Sequence, residues 1–167
     1  MVRRLDSTRM VISASGGNDF GCGDARDDHY YPDPTTPPAE RHRAAVLGEF
    51  GGYGLMQRGH VWHDSMSWAY RSLESADEYL EQYEAAVEKL RPLAESHLSA
   101  AVFTQLTDVE QEINGLMTYD REVAKIPTSA IRKANRMLYE TPKRRALHEI
   151  VAASTLAWWR FEDGAPD

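Results

Sequence analysis

Ala44-Ala45-Val46-Leu47-Gly48-Glu49-Phe50-Gly51-Gly52 decides how the rest of the chain is read. A short apolar run bounded by glycines reads as a buried strand. Here it covers Ala44 to Gly48 and runs straight into the carboxylate of Glu49, with a glycine-rich stretch from Gly51 to Gly59 behind it. In α/β barrels the carboxyl-terminal end of a strand faces the active site. Flanking glycines let a ligand approach the backbone closely. Taken alone, the pattern favours a solvated glutamate over a catalytic one by about three to one.

On the amino-terminal side, Ala25 to Tyr30 reads as another strand, stopped by Pro32-Asp33-Pro34-Thr35-Thr36-Pro37-Pro38, which cannot continue a ladder. Arg9 to Ser15 reads as a short buried strand closed by Gly16-Gly17-Asn18-Asp19, and Leu5 to Thr8 as the end of a helix. On the carboxyl-terminal side, Ser75 and Glu78 form a capping-box pattern. The helix behind them, Ala76 to Leu90, carries Tyr79, Leu80, Tyr83, Val87 and Leu90 as one apolar stripe, and Pro92 marks a break or kink. A strand from Ala100 to Leu106 follows, then a polar loop from Thr107 to Lys125 and a helix from Thr128 to Tyr139, with Pro127 near its start. Strands separated by helices or long connections predict parallel pairing and the α/β class.

The 167 residues suffice for one ordinary domain, and 42% apolar with 27% charged residues suits a packed core. A formal net charge of −7 argues against a nucleic-acid partner, which usually meets a basic face. The single Cys22 excludes an internal disulfide. No apolar run is long enough to span a bilayer, and Met1 to Asp6 is no signal peptide, so a soluble chain of unassigned compartment is expected, with no membrane partner.

Three stretches then carry a family resemblance: Asp24 to Pro34, Ala45 to Gly52, and Ala101 to Arg121. The most specific segments are A-V-L-G-E-F-G-G and T-Q-L-T-D-V-E-Q-E-I-N-G-L-M-T-Y-D-R. In this order and spacing they resemble glycoside hydrolase family 2, in its β-galactosidase and β-glucuronidase-like members. Val2 to Arg9 is similar to the segment leading into the fifth strand of that family's barrel. The resemblance implies an α/β fold, a partial TIM barrel of the fifth to eighth βα units, truncated at both ends. Residues 1–143 would be the carboxyl-terminal half of a catalytic (β/α)8 barrel, and residues 144–167 a linker and the start of a β-rich module.

The same resemblance implies roles. Glu49 is the expected nucleophile of a retaining exo-β-glycosidase, and Tyr31 the tyrosine that hydrogen-bonds and orients it. His29 falls at a polar pocket position, Gln105 and Asp108 where sugar-facing residues are expected, and Trp62 in a loop suited to stacking on a sugar ring. The chemistry needs two carboxyl groups roughly 5–5.5 Å apart, one attacking the anomeric carbon and one handling the leaving-group proton. The family's acid/base glutamate belongs to an Asn-Glu motif on its fourth strand, and no Asn-Glu pair occurs in this sequence. A carbohydrate substrate is implied, and neither a metal nor an organic cofactor is required. His60, His63 and Asp64 do not complete a ligand set by spacing, and solvated or pocket-rim histidines are favoured there by about five to one. The alternative is a catalytically inactive half-barrel that binds carbohydrate or self-associates through exposed sheet edges.

Overall fold

The computed structural model describes residues 2–139. The linker and module expected at 144–167, including Trp158 and Trp159, lie outside the described residues.

Among the described residues eight elements follow one another: α1 (Val2–Leu5), β1 (Ala25–Tyr30), β2 (Ala44–Gly51), β3 (Tyr53–Leu55), β4 (Arg71–Leu73), α2 (Ala76–Ser96), β5 (Leu98–Thr104) and α3 (Thr128–Tyr139). β1, β2 and β5 form one parallel sheet with β2 in the centre, and β3 pairs with β4, also in parallel, in a second. The α/β class and the parallel pairing anticipated from the sequence are therefore present. α2 supplies the long crossover from β2 to β5 that a parallel pair needs.

Several boundaries differ from the sequence reading: α1 ends at Leu5, and β5 runs over Leu98–Thr104 where Ala100 to Leu106 was expected. Arg9 to Ser15 forms no strand; only Ile12 bridges, to Gly23 and to Ala25. Asp24 takes over the backbone groups of Val11: its carboxylate accepts the Val11 amide at 2.7 Å, and its own amide donates to the Val11 carbonyl at 2.7 Å. β2 runs on to Gly51, so Glu49 sits inside the strand and not past its end. α2 continues through Pro92 to Ser96. Pro92 has no amide to donate to the Glu88 carbonyl and its ring crowds that group, so the helix passes it with one bond fewer.

The Ser75 cap forms as its sequence suggests. Its side chain accepts the Glu78 amide at 3.1 Å, while the Glu78 carboxylate accepts from the Glu74 amide at 2.8 Å. The buried face of α2 is Tyr79, Tyr83, Ala86, Val87 and Leu90, with Leu80 partly buried beside it. That face packs with Leu47, Phe50, Tyr53 and Leu98 of the strands, and with Ile126 and Ala134 toward α3. The Tyr83 hydroxyl reaches Asn135 at 2.9 Å and ties α2 to α3.

β2 contains an irregularity that determines where its side chains point. Against β1, Asp28 pairs with Leu47 but His29 pairs with Glu49, which leaves Gly48 unmatched. Against β5, Leu47 pairs with Ala101 and Phe50 with Phe103, so three steps on β2 meet two on β5. Both neighbours thus see one extra residue, a β-bulge. Side chains alternate with period two along a strand, so an extra residue exchanges the faces beyond it. Leu47, 0% exposed, and Phe50 consequently share the core face, and Glu49 is turned away from it.

Candidate active site

The carboxyl-terminal ends of the three parallel strands meet around Glu49. Tyr31, directly after β1, donates its hydroxyl proton to Glu49 Oε2. With that proton committed, the phenol oxygen accepts from the Thr104 hydroxyl at the end of β5, 3.1 Å away. Backbone bonds hold the same junction: the Gly51 amide donates to Pro32 at 3.0 Å and the Gly52 amide to Thr104 at 2.9 Å. Burial, and then the bond to Glu49, raise the Tyr31 pKa above the usual phenol range, so this side chain remains a donor.

His29 comes from the end of β1 and presents Nδ1 to Glu49 Oε2 at 3.4 Å. On its other side, Nε2 lies 3.2 Å from the Ser15 hydroxyl and 3.9 Å from Asp27 Oδ1. Ser15 also reaches Asp27 Oδ2 at 3.2 Å. Asp27 Oδ1 is buried and has no hydrogen-bond partner among the described residues. Two glycines make this arrangement possible. A β-carbon at Gly48 would lie 1.9 Å from Asp27 Oδ1, and one at Gly16 would lie 2.5 Å from the His29 ring.

An aromatic wall adjoins the carboxylate. Tyr31 and Tyr70 stack face to face, with centroids 3.7 Å apart and planes within 1°. Trp68 meets Tyr70 edge-on at 5.5 Å. Gly52 permits the stack, because a β-carbon there would lie 2.5 Å from Tyr70. Trp68 and Tyr70 remain about half exposed, and Glu49 is 42% exposed in its side chain. The site is therefore an open carboxylate with a phenol donor, an imidazole and an aromatic face next to it.

Of the six residues singled out by sequence, Glu49, Tyr31 and His29 are brought together. Gln105 directly follows Thr104; its amide nitrogen donates to Asn114 Oδ1 at 2.6 Å, and Asn114 in turn donates to Glu112 at 2.9 Å. Asp108 is elsewhere, in a setting that does not suit a sugar-facing carboxylate. It is 4% exposed and bound to the buried Lys125 ammonium at 2.6 Å and the Gly115 amide at 2.8 Å. Lys125 also donates to the Ile113 carbonyl at 2.8 Å. Burial acts against the charge at both ends of this pair, raising the Asp108 pKa and lowering that of Lys125, and each partner offsets the other's desolvation. Asp108 thus holds the loop after β5 in shape.

Trp62 stands in the loop after β3, more than half exposed, with its ring edge-on to Tyr119 at 5.5 Å. The aromatic surface tied to Glu49 belongs instead to Tyr70 and Trp68, which sequence reading missed together with Thr104, Asp27 and Ser15. Asp27 alone left a trace: it lies two residues before His29, on the same strand face. His60 does not join His63 or Asp64; it pairs with Asp120 at 2.8 Å.

Among the described residues, no helix is long and apolar enough to cross a membrane. No protein-family model matches the chain, and no curated protein matches it in sequence.

Proposed function

We propose that the chain is the carboxyl-terminal half of the (β/α)8 barrel of a retaining β-glycosidase of the family 2 type, with Glu49 as nucleophile. The observation that carries this reading is the placement of Glu49. Its carboxylate lies near the carboxyl end of a central parallel strand, turned from the core by the Gly48 bulge, and receives the Tyr31 proton. Active sites of α/β barrels lie at that end of the strands. The aromatic face of Tyr70 and Trp68 suits a sugar ring, whose C–H bonds pack on aromatic surfaces.

In this mechanism Glu49 attacks the anomeric carbon and the bond to the leaving oxygen breaks, giving a glycosyl ester on Glu49. Water then cleaves the ester, with a second carboxyl group acting first as acid and then as base. Tyr31 donates to Glu49 Oε2, and His29 Nδ1 lies 3.4 Å from the same oxygen, so both groups orient the carboxylate. On this reading the second carboxyl is the one that the family carries in the Asn-Glu motif of its fourth strand.

A glycoside whose leaving group needs no protonation tests the nucleophile without that partner. The chain is incubated with 2,4-dinitrophenyl 2-deoxy-2-fluoroglycosides of the β-galacto, β-gluco and β-manno series. The fluorine slows ester hydrolysis, and the dinitrophenolate departs unaided. The expected result is one added fluoroglycosyl unit by intact mass, mapped to the Glu49 peptide and absent from Glu49→Gln. No label with any of the three sugars, or a label on another residue, would overturn the assignment.

A second reading, a non-catalytic half-barrel that self-associates, is favoured by one edge of the sheet. Among the described residues β5 is the last strand on its side of β2, and it leaves Ser99 to Val102 exposed.

A further inference from the structure

We infer that His60, Asp120 and Glu122 form a binding site for a divalent transition-metal ion of the zinc class, separate from the Glu49 site and independent of its function. The three residues come from loops about sixty positions apart. His60 follows Gly59 in the loop after β3, and Asp120 and Glu122 lie in the turn before α3. One ligand atom from each lies within 4.8 Å of the others. His60 Nδ1 is 2.8 Å from Asp120 Oδ2 and 3.9 Å from Glu122 Oε2. Bonds of about 2.0–2.2 Å in a tetrahedron set donor atoms about 3.4 Å apart. The two separations bracket that value, so small side-chain rotations admit an ion.

The donor set selects the metal. One imidazole nitrogen with two carboxylate oxygens suits zinc and its neighbours, whereas magnesium and calcium take oxygen ligands. Three protein ligands leave a fourth position for water.

The central ligand is held ready. Asp120 Oδ1 accepts from the Thr118 hydroxyl at 2.5 Å and from the Glu122 amide at 3.1 Å, which leaves Oδ2 directed at His60. Thr118 is itself fully buried and bound to the Val123 amide at 3.1 Å. Outer partners of this kind orient metal ligands. Trp62 on Tyr119 joins the same two loops a step away, so a bound ion would clasp loops already in contact.

Isothermal titration of the metal-free full chain with zinc chloride, followed by thermal melts with and without zinc, tests the site. The expected result is one equivalent bound and a raised melting temperature. His60→Ala and Glu122→Ala should each weaken binding by at least the roughly 10–100-fold that changes around metal ligands cost. His63→Ala, whose imidazole joins no such cluster among the described residues, should leave affinity unchanged. If His60→Ala fails to fold, Glu122→Ala carries the test, because that side chain is 71% exposed. No binding heat, unchanged affinity in Glu122→Ala, or equal loss in His63→Ala would each overturn the assignment and leave a simple histidine–aspartate pair.

Discussion

Gly48 has no side chain because the carboxylate of Asp27 stands where its β-carbon would be. An alanine there must push aside a buried charged group or shift the bulge. Gly48→Ala is expected to destabilise the chain by about 1–3 kcal/mol, the usual cost of overpacking. In an Asp27→Ala background the same change should cost much less, a coupling that denaturant titration of the four variants would reveal. Equal costs in both backgrounds would mean that the Asp27 contact is not what excludes the side chain. Tyr31 acts through one proton. Hydrogen bonds to charged groups contribute about 1.5–3 kcal/mol, so Tyr31→Phe should slow fluoroglycoside labelling of Glu49 by roughly 10- to 100-fold. A time course of intact mass would show this, and an unchanged rate would remove the phenol from the mechanism.

At the scale of elements, α2 and the loop after β5 hold the site by different means. The helix relies on a cap and an apolar face. Ser75→Ala removes the acceptor for the Glu78 amide and should cost about 1 kcal/mol in thermal or urea unfolding. The loop relies on a buried ion pair. Lys125→Met leaves the Asp108 carboxylate buried without its cation, and a loss of about 3–5 kcal/mol is expected. A loss under 1 kcal/mol would show the pair to be open to water. The capped helix was legible in the sequence because its signals are local: Ser75, Glu78 and a stripe of Tyr79, Tyr83, Val87 and Leu90 at helical spacing. The Lys125–Asp108 pair was not. Its partners lie seventeen residues apart across irregular backbone, where no periodicity shows which side chains meet.

At the scale of the molecule, charge sets the response to acid. Asp19 is held below the usual carboxylate range by Arg43, Asp24 by the Val11 amide and Arg3, Glu40 by Arg43, and Asp120 by Thr118 and His60. A depressed folded-state pKa adds stability that is complete above the unfolded value and lost as pH falls through the folded one. The melting temperature is therefore expected to hold above the ordinary values of 3.8 and 4.5 and to fall as pH drops toward 2. Arg43→Ala should flatten that fall, because Arg43 contacts both Asp19 and Glu40. Among the described residues β5 ends the sheet with Ser99 to Val102 exposed, which predicts association as well. Sedimentation velocity should show species heavier than a monomer, and a clean monomer with a cooperative melt would count against the self-associating reading.

The sequence by itself determined the α/β class, the strand carrying Glu49, the capped α2 and the bounds of α3, since apolar periodicity and caps are properties of neighbouring residues. It placed Glu49, Tyr31 and His29 in one group only through resemblance. Tertiary structure alone decided that Gly48 bulges and exchanges the faces of β2, that Tyr70 stacks on Tyr31, that Asp108 turns inward to Lys125, and that His60 meets Asp120. Each of these depends on register or on contacts between distant segments, and a pleated strand carries no local mark of where one extra residue will reverse which side faces the core.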